Sequence, residues 1–174
     1  MIPARRSPAF TADWFTDISW AWEKYLPPFF SAAVAWLEVG SYEGRSALWT
    51  IDNILHPGSA VWCVDHFDAA YEKLFDQNTA DEPRIVKIKG KARDVLPLLS
   101  VVFGGAYIDG AHEEEEVAHD ARVVWRLLRP GSPLVFDDYG MASVGRAVDA
   151  FLHETGSAAE IIFTGWQMIV RKVA

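Results

Sequence analysis

Residues 37–48 read Leu37-Glu38-Val39-Gly40-Ser41-Tyr42-Glu43-Gly44-Arg45-Ser46-Ala47-Leu48. Ala35 to Val39 has the composition of a buried strand. After Gly44, the residues Ala47, Leu48, Ile51, Ile54 and Leu55 fall on one helical face, and Pro57-Gly58 ends the helix. The stretch is therefore a strand, a glycine loop and a helix. The same alternation continues outward from it. Strands are expected at 60–64, 84–89, 103–108 and 133–136, and helices at 68–75, 92–99, 113–128 and 144–152. Residues 160–163 and 167–172 read as a closing hairpin through Thr164-Gly165. Alternation of this kind predicts an α/β fold, a three-layer sandwich around a mostly parallel sheet. The hairpin adds one antiparallel strand, expected at an edge.

Upstream, residues 13–30 carry Trp14, Phe15, Ile18, Trp20, Trp22, Tyr25 and Leu26 before Pro27-Pro28. They suit one or two short amphipathic helices. Residues 1–12 are polar and are expected to be irregular. The organisation is one domain over 1–174, with an N-terminal helical segment at 1–30 and a core at 31–174. The N-terminal tryptophans suit a helix packed on the sheet, a lid or a contact in a homodimer. Trp36, Trp49, Trp62, Trp125 and Trp166 read as core.

Composition sets limits. The chain has 174 residues, 51% of them hydrophobic and 23% charged, which is globular rather than disordered. Its net charge of −8 comes with no basic block, so nucleic acid is a poor partner. The single cysteine, Cys63, excludes an internal disulfide framework and a paired-cysteine zinc site. No apolar run reaches the ~20 residues of a membrane span. No apolar run follows Arg5 and Arg6 either, so no signal peptide is expected and the expected location is cytoplasmic.

In parallel sheets of this kind ligands sit beyond the carboxyl ends of the strands. Gly40 and Gly44 enclose Tyr42 and Glu43, and the third glycine of the dinucleotide fingerprint G-x-G-x-x-G is missing. A carboxylate there would repel a diphosphate, so a nucleoside without phosphates fits better than NAD. Asp65 ends the second strand, where a carboxylate can accept hydrogen bonds from two ribose hydroxyls; an Asp there is equally a helix cap. Gly90-Lys91-Ala92 ends the third strand, where an adenine can lie. Asp109 ends the fourth, and Asp137 and Asp138 the fifth. Carboxylates placed together need a cation, a shared proton or separation. A divalent ion such as Mg²⁺ is one solution, and capping without metal is another. His112, three residues past Asp109, is a candidate general base or a plain helix-start residue.

Taken in order, the 37–48 stretch, Val64-Asp65, Tyr107-Ile108-Asp109-Gly110-Ala111-His112, Leu127-Leu128-Arg129-Pro130-Gly131 and Phe136-Asp137-Asp138-Tyr139 resemble class I S-adenosylmethionine-dependent methyltransferases. The nearest branch is the small-molecule O-methyltransferases, similar to the catechol, caffeoyl-CoA and macrolide-sugar enzymes. The resemblance covers about residues 35–172. It implies a Rossmann-like, seven-stranded sheet with an antiparallel last strand. It also implies S-adenosylmethionine as cofactor. Glu38, Gly40, Ser41, Tyr42 and Ser46 would surround the methionine part, Asp65 would hold the ribose, Lys91 and Ala92 would border the adenine, and Gly44, His66 and Asp109 would also belong to the cofactor site. The branch implies a divalent metal on Asp109, Asp137 and Asp138, although Asp138 stands where Asn is usual. His112 matches the histidine of the macrolide-sugar enzymes rather than the lysine of the catechol type. The implied partner is a small hydroxylated acceptor. A binding module without catalysis and an NAD-dependent oxidoreductase are the rival readings.

Overall fold

The structure, a computed structural model, describes residues 7–173. Of the irregular start expected at 1–12, residues 1–6 lie outside the described residues, and 7–12 form neither helix nor strand. The elements follow as α1 (Ser19–Tyr25), β1 (Ala35–Val39), α2 (Arg45–Asn53), β2 (Ala60–Asp65), α3 (Ala69–Thr79), β3 (Ile85–Lys89), α4 (Ala92–Val95), β4 (Gly105–Ile108), α5 (Glu114–Leu127), β5 (Pro133–Phe136), α6 (Ala142–Thr155), β6 (Ala159–Thr164) and β7 (Met168–Lys172). The helix expected at 92–99 stops early. Pro97 has no amide proton to continue it, and Leu96–Leu98 winds on as a 3₁₀ turn.

The seven strands form one sheet in the order β3-β2-β1-β4-β5-β7-β6. All neighbours are parallel except β7, which runs antiparallel to both β5 and β6. The antiparallel strand is therefore not at the edge, as the hairpin suggested. The reason is burial. Met168, Ile169 and Val170 of β7 are fully buried, whereas Glu160, Ile161 and Thr164 of β6 are exposed. The strand whose apolar residues run together, Met168 to Val170, takes the interior position, and the one that leaves Glu160 and Thr164 exposed lies at the edge.

Strand alternation divides the core into two. Leu37, Val39, Ala106, Ile108, Leu134, Phe136, Met168 and Val170 meet α5 and α6 on one face. Trp36, Val61, Cys63, Tyr107, Val135 and Ile169 meet α2 and the N-terminal segment on the other. Trp22 is fully buried there. It packs edge-on against Tyr107 at 4.8 Å and tilted on Trp36 at 5.6 Å. So one N-terminal tryptophan packs on the sheet, while Trp14 and Trp20 remain 71% and 52% exposed.

The chain before α1 lies as a strap over the start of α2. Thr11 donates its backbone N–H to Glu43 Oε2 at 2.7 Å. Arg45 reaches back to the Ala12 carbonyl at 3.1–3.2 Å. Asn78 of α3 accepts from the Ala9 amide at 2.9 Å and donates to the Glu43 carbonyl at 3.0 Å. Trp14 packs on Tyr42 with ring centroids 5.1 Å apart. Glu43, which read from sequence as a loop carboxylate, is thus buried and committed to the strap.

Candidate active site

The carboxyl ends of β1, β2, β4 and β5 place the candidate residues along one rim. Gly40 turns the chain out of β1 with φ +85°, and a Cβ there would lie 1.9 Å from the Asp109 carbonyl oxygen. Only glycine lets the ends of β1 and β4 approach this closely. Tyr42 also holds a positive φ of 45°, and Gly44 with φ 83° opens α2. Nonglycine residues seldom adopt that region, so the Tyr42 conformation is one the surroundings must hold.

What holds it is Asp65. Its Oδ2 accepts from the Ser41 and Tyr42 amides at 2.8 and 3.0 Å. Its Oδ1 accepts from the Phe67 amide at 2.8 Å and the Tyr71 hydroxyl at 3.2 Å. A carboxylate offers about four acceptor positions, and these are filled from within the protein. Asp65 therefore shapes the glycine loop as well as ending β2. His66 stands beside it, exposed, 3.0 Å from the Tyr71 hydroxyl. Tyr71 in turn packs on Tyr42 at 4.8 Å. The Gly90 amide donates to the Asp65 carbonyl at 2.8 Å, which ties the Lys91-Ala92 turn to the same rim.

Beneath the loop is Glu38, fully buried on the α2 face of the sheet. Ser46 donates to its Oε1 at 3.0 Å. Among the described residues, Glu38 Oε2 and the nearby Ser41 Oγ have no hydrogen-bond partner, although both are buried. Such atoms are uncommon in folded proteins. Burial pushes the Glu38 carboxyl up to about 8, with the hydrogen bond from Ser46 opposing that shift. The native state thus holds a proton that the unfolded chain, with the ordinary value of 4.5, has released. Stability from this group is complete below about pH 4.5 and is lost as pH rises through about 8. Glu38→Gln is expected to flatten this decline. The measurement is the urea midpoint of both proteins between about pH 5 and pH 8. Equal slopes would exclude Glu38 as the source.

The second half of the rim holds the carboxylates. The buried Tyr107 hydroxyl lies 2.9 Å from Asp109 Oδ2 and 2.5 Å from Asp137 Oδ2. A phenol carries one proton, so the second contact needs a proton on a carboxyl. Burial, then the charge of Asp137, pushes the Asp109 carboxyl well above its ordinary value; burial also raises Asp137. Of the three solutions open for these carboxylates, Asp109 and Asp137 use the shared proton. Asp137 Oδ1 accepts from the Asp138 amide at 2.9 Å and from Gln167 at 3.2 Å. Gln167 Oε1 accepts from the Trp22 indole at 2.8 Å. Trp22, Gln167, Asp137, Tyr107 and Asp109 form one buried chain of hydrogen bonds. Sequence reading missed Tyr107 and Gln167 as members of it.

Asp137 thus faces inward, while Asp138 faces outward at φ 52°. Its Oδ2 is 2.7 Å from His112 Nε2, and its Oδ1 accepts from the Trp166 indole at 2.9 Å. Asp109, His112 and Asp138 each bring a ligand atom to within 4.8 Å of the others. This set contains His112 in the place the sequence reading gave to Asp137. Trp166, expected in the core, is 54% exposed instead. It sits in the turn after β6, where neither sheet face can cover it.

Among the described residues no helix is long and apolar enough to cross a membrane. No curated protein matches the chain. Solved structures do. An O-methyltransferase from Bacillus cereus, in complex with SAH, shares 16% identity at a TM-score of 0.73, covering 98% of this chain and 84% of its own. The O-methyltransferase TomG from Streptomyces achromogenes, involved in tomaymycin synthesis and in complex with SAM, shares 17% at 0.66, covering 80% and 73%. The SAH-bound methyltransferase PaMTH1 from Podospora anserina shares 17% at 0.65, covering 80% and 72%. At these identities the likeness is one of fold. The family profile described as a methyltransferase domain matches residues 37–139, more than half of the sequence. The chain belongs to the methyltransferase domain family.

Proposed function

We propose that the chain transfers the methyl group of S-adenosylmethionine to a hydroxyl of a small molecule. The observation that carries this is the unpartnered buried pair, Glu38 Oε2 and Ser41 Oγ, under the Gly40 turn of a methyltransferase-family chain. An ammonium group, such as the one on the methionine part of the cofactor, would draw the proton off Glu38 and pair with the carboxylate it leaves, with Ser41 Oγ as a second acceptor. An acidic rim also favours the positive sulfonium. Gly40, Ser41, Tyr42, Gly44 and Ser46 would line this part. Asp65, with His66 beside it, would take the ribose where the Tyr71 hydroxyl now donates. Lys91 and Ala92 would border the adenine. The solved relatives with SAM or SAH bound support the assignment.

The cofactor supplies an activated methyl group; the chain supplies orientation and a proton acceptor. When bound, the cofactor would give its methyl group to the acceptor oxygen and keep the electron pair of its carbon–sulfur bond. The hydroxyl proton passes to His112. Asp138, accepting from Nε2–H, fixes the tautomer that leaves Nδ1 basic and stabilises the imidazolium. Asp109 would border the transferred methyl group.

A divalent cation is a second reading, favoured by the three ligand atoms within 4.8 Å. Asp109, His112 and Asp138 would hold it. An imidazole among the donors suits Mn²⁺ better than Mg²⁺. When bound it would make an acceptor hydroxyl more acidic. His112 is then a ligand and not the base, so the two readings exclude each other.

The test is a melting series with S-adenosylmethionine or S-adenosylhomocysteine, each with Mn²⁺, Mg²⁺ or a chelator. Either nucleoside is expected to raise the melting temperature with or without metal. Ligand at 100 times its Kd adds about 2.7 kcal/mol. Asp65→Ala is expected to reduce that gain. It removes the acceptor of four internal donors and leaves Ser41 and Tyr42 amides unpaired. Protection by NAD alone would overturn the cofactor reading.

A further inference from the structure

Three tryptophans are exposed by half or more, and two of them are paired. Trp14 packs on Tyr42 at 5.1 Å and Trp20 on Phe163 at 5.4 Å. Among the described residues no aromatic ring covers Trp166. Its ring is nevertheless held at two points. The indole N–H donates to Asp138 Oδ1 at 2.9 Å. The six-membered ring lies over Gly140, where a Cβ would come within 2.6 Å of Trp166 Cε3. The Gly140 amide also donates to the Trp166 carbonyl at 3.3 Å. An exposed indole held this way presents a fixed apolar face, and leaving it bare to water is unfavourable.

Its position gives that face a use. Asp138 spends one oxygen on Trp166 and the other on His112, 2.7 Å away. The indole and the imidazole are thus two arms of one carboxylate. A planar ring stacked on Trp166 would bring a ring hydroxyl toward His112. Stacking on the indole face needs a planar ring, which an aliphatic or sugar alcohol lacks. The Asp138 carboxylate held beside that face disfavours an anionic ring.

We propose that Trp166 is the acceptor platform: its indole face stacks a neutral hydroxylated aromatic ring, and its N–H positions Asp138 for His112. This rests on the methyl-transfer reading above and adds the acceptor class and the residue that selects it. Trp166 is a specificity residue through its face and a positioning residue through its nitrogen.

The experiment uses the full chain saturated with S-adenosylhomocysteine. The indole N–H signal of Trp166 is identified in a proton–nitrogen NMR spectrum by its loss in Trp166→Phe. Resorcinol, 3,5-dihydroxybenzoate and methyl α-glucoside are then titrated separately. Resorcinol is expected to shift the Trp166 signal. The benzoate, the same ring with an added negative charge, is expected to bind about tenfold more weakly, and the glucoside to leave the signal unmoved. Trp166→Ala is expected to weaken resorcinol about tenfold, whereas Trp166→Phe keeps binding within about threefold. In methyl transfer to resorcinol, Trp166→Phe lowers kcat with KM little changed, because only the bond to Asp138 is gone. Trp166→Ala raises KM as well.

An unmoved Trp166 signal under saturating resorcinol would overturn the platform, as would equal resorcinol affinity in wild type and Trp166→Ala. So would a shift with the glucoside alone. In each of these results S-adenosylhomocysteine still binds, and the methyl-transfer reading stands. Failure of S-adenosylhomocysteine to bind overturns both.

Discussion

Gly40→Ala is expected to destabilise the fold by about 4 kcal/mol or more, among the largest losses one methyl group can cause. Two independent effects combine. The backbone sits at φ +85°, where a side chain is strained, and the added Cβ would lie 1.9 Å from the Asp109 carbonyl oxygen and 2.8 Å from Gly110 Cα. The obstacle is backbone, so no rotamer change relieves it. Moving that backbone would separate β1 from β4 and disturb the bond from the Asp109 amide to the Val39 carbonyl, 2.8 Å long. Gly110→Ala is the matched control. Its nearest neighbour would be Val39 Cγ1 at 3.4 Å, an ordinary contact, and a loss within about 1 kcal/mol is expected. Urea unfolding of both variants decides the matter. Similar losses would show that the close approach of the two strands is not the cause.

His112→Ala is expected to lower kcat for methyl transfer to a hydroxylated aromatic acceptor by about 10²- to 10⁴-fold. Cofactor affinity should change by no more than about threefold, because His112 stands on the carboxylate rim and away from the Glu38 pocket. Asp138→Asn should lower kcat by a smaller factor, about tenfold or more, since it keeps an acceptor for the imidazole but removes the charge that stabilises its protonated form. Radiolabelled methyl transfer and calorimetry with S-adenosylmethionine measure the two quantities separately. Activity within twofold of wild type in His112→Ala would remove the base assignment. Loss of wild-type activity in a chelator, restored by Mn²⁺, would make His112 a ligand instead.

The parts legible from sequence were those set by local periodicity. Strand and helix positions at 35–55 and 105–136 follow from apolar spacing alone, and the residue ending each strand follows from them. The order of β6 and β7 was not legible, because which strand of a hairpin pairs inward depends on burial across the whole sheet. The roles of Asp137 and Asp138 were not separable either. The two are adjacent, yet one accepts from Tyr107 and Gln167 inside while the other meets His112 and Trp166 outside. The bond from Trp22 to Gln167 joins residues 145 positions apart, and no pattern along the chain announces it. Tyr107 could have been found. It lies two residues before Asp109 on a strand, hence on the same face, and a tyrosine facing a strand-end carboxylate on a buried face needs a hydrogen-bond partner.

The inward place of β7 has a consequence for how the chain is made. β5 has β4 on one side and only β7 on the other. Until Met168–Lys172 has been synthesised, the apolar edge of Pro133–Phe136 stands open. β6 emerges earlier but pairs with β7 alone, so it cannot close that edge itself. A chain that ended before β7 would pair β1 to β5 and carry that open edge. Closure waits for the last strand to enter between two that are already made. Truncation near residue 165 should therefore favour aggregation over a shorter folded product, with β1 to β5 assembled and the sheet unsealed.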